Sequence, residues 1–77
     1  MNTASEFKTL LSKFNKGIQD VTISEGILQV SVGGKTIKAV RTNALGVITD
    51  LKRSRGFREV NCVPNPEGGA LIFAIPA

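Results

Sequence analysis

Apolar residues recur in steps of three and four at Phe7, Leu10, Leu11, Phe14 and Ile18, the spacing that lines one face of an α-helix. The pattern predicts a helix over residues 4–16. Thr3-Ala4-Ser5-Glu6 reads as a capping box, with Thr3 as N-cap and Glu6 reaching back to it. Gly17 accepts the left-handed conformation that ends a helix, and Ile18 can then fold onto Phe14. Lys8, Lys13 and Lys16 fall off the apolar face.

Beyond Gly17 the period shortens. Val21-Thr22-Ile23 reads as a short strand ended by Glu25-Gly26. Leu28, Val30 and Val32 alternate with Gln29 and Ser31, the pattern of a half-buried strand. Gly33-Gly34 predicts a hairpin turn, because both glycines accept positive φ. Thr36–Arg41 is then the returning strand, with Ile37 and Ala39 toward the core. Ala44, Val47, Ile48 and Leu51 restore the helical period over 43–55. Thr42 or Asn43 would cap this helix, and Gly56 would stop it with Phe57 folded back onto Leu51. Residues 58–63 and 69–75 read as a final hairpin around Pro64-Asn65-Pro66-Glu67-Gly68. The expected fold is α+β, in two layers. Two helices pack on one face of a four- to five-stranded, mainly antiparallel sheet, in the order α-β-β-α-β-β.

That arrangement divides the strand residues between two faces. Leu28, Val30, Val32, Ile37, Val60, Leu71 and Phe73 are expected under the helices. Ile27, Val40, Val63 and Ile72 then point to the open face, a candidate protein interface that could serve a homodimer. A register slip of one residue would exchange the two sets.

Length and composition narrow the chemistry. A chain of 77 residues has room for one core, and a domain this small buries only about 60% of its unfolded surface. Cys62 is the single cysteine, so no internal disulfide is available, and its alternation with Val60 places it in the core. There is no histidine, which argues against a zinc site and against a His-activated nucleophile. There is no tyrosine, and no spacing brings two carboxylates together. No enzyme activity, metal or cofactor is expected. Gly33-Gly34-Lys35-Thr36 resembles the end of a phosphate-binding loop but fails its test. Gln29 stands where the first glycine is needed, and a strand-like run follows in place of a helix. Without a long apolar run or a signal-peptide core, the chain is expected in the cytoplasm, with no membrane association.

The remaining signal is charge. Ten Lys and Arg face six Asp and Glu, a formal net charge of +4. Residues 35–58 concentrate it: Lys35, Lys38, Arg41, Lys52, Arg53, Arg55 and Arg58 oppose Asp50 alone. Lys and Arg of this kind contact phosphates. The four phenylalanines are all expected in packing roles, so no aromatic platform for base stacking is expected. The leading expectation is therefore a non-catalytic binding module. Those seven cations would meet the DNA or RNA backbone with little base specificity. The alternative is a small protein-binding adaptor or inhibitor, an accessory protein of a bacterium, phage or mobile element. It would act on a larger, nucleic-acid-handling protein.

Overall fold

Thr3 is the N-cap of the first helix, as expected: its Oγ1 accepts the Glu6 amide at 3.2 Å, and Glu6 reaches back to the Thr3 hydroxyl, which donates to Glu6 Oε1 at 3.3 Å. The computed structural model describes residues 3–54 and 56–77. Its elements are α1 (Ala4–Phe14), β1 (Ile18–Ser24), β2 (Ile27–Val32), α2 (Ile37–Arg53), β3 (Phe57–Pro64) and β4 (Ala70–Pro76). The strands form a four-stranded sheet in the order β1-β2-β4-β3, with every neighbouring pair antiparallel. The element order α-β-β-α-β-β is the expected one, with four strands.

The core is built from one alternating set of sheet residues. Leu28, Val30 and Val32 of β2 and Ala70, Ile72 and Ala74 of β4 are buried. Val21 of β1 joins them. Leu11 from α1 and Ala44, Val47 and Leu51 from α2 complete the same cluster, so both helices pack on that face. The opposite face carries no helix among the described residues.

The first hairpin does not turn at Gly33-Gly34. It turns at Glu25-Gly26, where φ is 53° and 79°, the pair of positive values a two-residue hairpin turn requires. The short strand expected at 21–23 is therefore a full partner of β2, paired from Ile18↔Val32 to Ser24↔Ile27. Gly33-Gly34 instead joins β2 to α2. The returning strand expected at Thr36–Arg41 is the start of that helix. Thr36 is its N-cap, with Oγ1 accepting the Ala39 amide at 3.1 Å. Asn43, expected at the cap, lies inside the helix, and its Nδ2 donates to Gly33 O at 2.9 Å.

The expected faces of five further residues are corrected. Val40 lies on α2 and packs against the core. Ile72 is fully buried. Leu71 and Phe73 pair with Ser31 and Gln29, away from the helices, because β4 is read one residue out of register. Ile37 is 78% exposed at the first turn of α2. On α1 the core stripe is narrower than expected: Ala4, Phe7 and Leu11 face inward, while Leu10 and Phe14 are exposed. That helix ends at Phe14 and packs mainly over β1, at the edge of the sheet.

Candidate nucleic-acid interface

Helix α2 turns Val40, Ala44, Val47 and Leu51 inward, which fixes its outer face. Lys38, Arg41, Thr42, Leu45, Thr49, Lys52 and Arg53 are exposed. At 3.6 residues per turn these seven fall in one stripe about 120° wide. A rise of about 1.5 Å per residue separates Lys38 from Lys52 by about 21 Å. The stripe thus carries two cations near each end and Thr42, Leu45 and Thr49 between them. The carboxylate nearest in sequence, Asp50, is half-buried and accepts Asn15 Nδ2 at 2.7 Å.

The two ends of the stripe differ electrostatically. Lys52 and Arg53 occupy the last turn, where backbone carbonyls favour cations. Lys38 lies in the first turn, where amide groups favour anions and no acidic residue is present. Lys35 immediately precedes the Thr36 cap and adds to the same positive end. Positive charge on a positive helix end costs stability, of the order of 0.3–1 kcal/mol per charge, until an anion offsets it.

The structure gathers Lys38, Arg41, Lys52 and Arg53 into one row and sets Lys35 beside its first end. Arg58 is on the sheet, in β3, and is not part of the row. Arg55 lies outside the described residues. Lys8 and Lys13 are exposed on α1, in the same layer as α2, and were not among the expected site residues. Their polar positions are visible in the helical pattern, but their layer is fixed only by the packing of α1.

Charge therefore sorts by layer. The helices carry Lys8, Lys13, Lys38, Arg41, Lys52 and Arg53 against Glu6 and Asp50. The strands and the turns of their two hairpins carry Asp20, Glu25, Glu59 and Glu67 against Arg58.

Of the four residues expected on the open sheet face, Ile27 and Val63 are there, and Val40 and Ile72 are not. The apolar centre of that face is Leu71, Phe73 and Ile75 of β4. Phe73 lies between Gln29 and Asn61, and Leu71 between Ser31 and Val63. Cys62 is exposed, although its pairing with Ile72 puts it on the helix side of the sheet.

Gly33-Gly34-Lys35-Thr36 does lead from a strand into a helix, the setting a phosphate loop needs. Gln29 still occupies the position of the missing glycine. Among the described residues no helix is long and apolar enough to cross a membrane. No family model, curated protein or solved structure matches this chain.

Proposed function

We propose that this chain is a non-catalytic nucleic-acid-binding module whose helical layer lies against phosphates. The sorting of charge by layer carries the reading: cations populate the helices while acids populate the strands and hairpin turns. A duplex strand presents one phosphate per roughly 3.4 Å of axis, so a row about 21 Å long meets several of them. Lys38 and Arg41 would hold one end, Lys52 and Arg53 the other, with Lys8 and Lys13 adding charge from α1. Binding an anion at the first turn of α2 also offsets the unfavourable placement of Lys38 and Lys35.

The middle of the row supports low base specificity. Base edges are read by Arg, Lys, Asn, Gln, Asp and Glu, with Ser and Thr less selective. Here the middle holds Leu45 and two threonines whose hydroxyls donate to backbone, Thr42 to Lys38 O at 3.0 Å and Thr49 to Leu45 O at 2.8 Å. Asn43 is turned inward to Gly33 O. Fluorescence-anisotropy titrations with random duplex DNA, single-stranded DNA and RNA at two salt concentrations test the proposal. Salt-sensitive binding to at least one polymer is expected, and no binding at low salt overturns it.

A second reading, protein binding in the cytoplasm as adaptor, inhibitor or homodimer, is favoured by a different observation. Leu71, Phe73 and Ile75, with Ile27 and Val63, form an apolar column on a sheet face that no helix covers among the described residues. Sedimentation separates the homodimer from a monomer that binds a larger protein.

A further inference from the structure

We propose that the corner between the first turns of α2 and the C-terminal half of β3 is a docking groove for an extended peptide. Its occupant is a segment of another protein that adds as a strand to β3 and carries a carboxylate next to apolar side chains.

The first support is the edge itself. Among the described residues β3 pairs only with β4, so one row of its backbone groups faces away from the sheet. Natural edge strands are protected by charges, prolines or bulges. Here the bulge lies between Phe57 and Glu59, and the proline is Pro64 at the far end. Between them Val60-Asn61-Cys62-Val63 has neither charge nor proline, a stretch of about 13 Å. The other edge, β1, carries Asp20 within the strand beside its own bulge, and α1 packs over it.

The second support is the cavity beside that stretch. A groove of about 620 Å³ runs between α2 and β3. Its apolar lining includes Ile37, Val40, Cys62 and Ala70. Ile37 is a large side chain left 78% exposed, and Cys62 is exposed on the helix side of the sheet. Both follow from one geometric fact: α2 does not cover the end of β3. An edge-adding peptide alternates its side chains, so every second one would enter this groove.

The third support is charge. Lys35 and Arg41 line the groove, and among the described residues no acidic side chain does. An apolar residue followed by a carboxylate satisfies both features, with Arg41 able to bind it through two parallel hydrogen bonds. A second copy of this chain fits less well. Its β3 would present Glu59 on the open face, since Glu59 pairs with Ile75, away from Lys35 and Arg41.

The test selects binders from a phage-displayed library of random linear dodecapeptides and counter-selects on Ile37→Ser. Because Cys62 is the single cysteine, its reaction with a chromogenic disulfide reagent reports groove occupancy directly. Enriched peptides are expected to share an acidic residue beside alternating apolar ones. The synthetic winner should slow Cys62 modification several-fold. It should bind Ile37→Ser and the double variant Lys35→Ala, Arg41→Ala about tenfold more weakly, the loss typical of an interface anchor. The double variant Lys52→Ala, Arg53→Ala should bind it as the unaltered chain does, which separates this groove from general attraction to the basic face. Enrichment of no sequence over the counter-target overturns the proposal. So does a winner that leaves the Cys62 rate unchanged, or a free protein whose Cys62 is already shielded by self-association. Duplex DNA binding by Ile37→Ser is a separate readout, so the nucleic-acid reading can fail without this one.

Discussion

Asn43 ties three segments together. Its Nδ2 donates to Gly33 O at 2.9 Å, and the Gly33 amide donates to Gly17 O at 2.8 Å. Helix α2, the end of β2 and the α1–β1 connection therefore meet at one half-buried side chain. Asn43→Ala removes the donor to Gly33 O and is expected to cost about 1–2 kcal/mol, read as a lower urea midpoint with an unchanged slope. Two glycines give a controlled comparison. Gly26 and Gly69 both have positive φ, 79° and 85°. A Cβ on Gly26 meets open space, whereas one on Gly69 collides with Val32 O. Gly26→Ala should cost about 1–2 kcal/mol from backbone strain, and Gly69→Ala distinctly more. Urea denaturation of both variants isolates the collision. Equal losses would mean that the β4 entry is not held against Val32.

At the scale of elements, α1 was legible because its capping box and its period agree. The first half of α2 was not. Thr36-Ile37-Lys38-Ala39-Val40 alternates like a strand and follows two glycines, so local pattern favoured a hairpin. The decisive interactions are the Thr36 cap and the seating of Val40 in the core, and the second exists only once the sheet is assembled. Carbon chemical shifts should report helix from Ile37 onward, and Thr36→Ala should cost about 1 kcal/mol. Extended shifts over 36–41 would restore the hairpin. Strand β4 was opaque for another reason. Ala70–Ile75 is apolar at every position, so composition alone cannot choose its inward face. The pairing Val30↔Ile72 makes the choice. Ile72→Ala is expected to cost about 2–5 kcal/mol, and Phe73→Ser on the open face much less. The reverse ranking would show the other register.

For the whole molecule, the fold class, the element order and the basic cluster of residues 35–58 were legible, but the arrangement of that cluster was not. Read along the chain, Lys35 and Lys38 fall beside an expected Gly33-Gly34 hairpin turn, apart from the helix bearing Lys52 and Arg53. The longer α2 places Lys38 and Arg41 on the same outer face as those two, and packing adds α1 to the layer. Arg58 goes to the sheet instead. The exposure of Cys62 was hidden for a similar reason, since it depends on where α2 stops covering β3. What carries the proposed function is thus the distribution of charge between layers. The most direct measurement is the salt dependence of duplex DNA binding by the unaltered chain, by Lys38→Ala, Arg41→Ala, Lys52→Ala, Arg53→Ala combined, and by Arg58→Ala. Four neutralised phosphates give a slope of log K against log salt of about −3.6, at about −0.9 per contact. The fourfold variant should lose most of that slope and its affinity, while Arg58→Ala keeps both. Equal slopes in all three proteins, or a loss confined to Arg58→Ala, would contradict the assignment of phosphate binding to the helical layer.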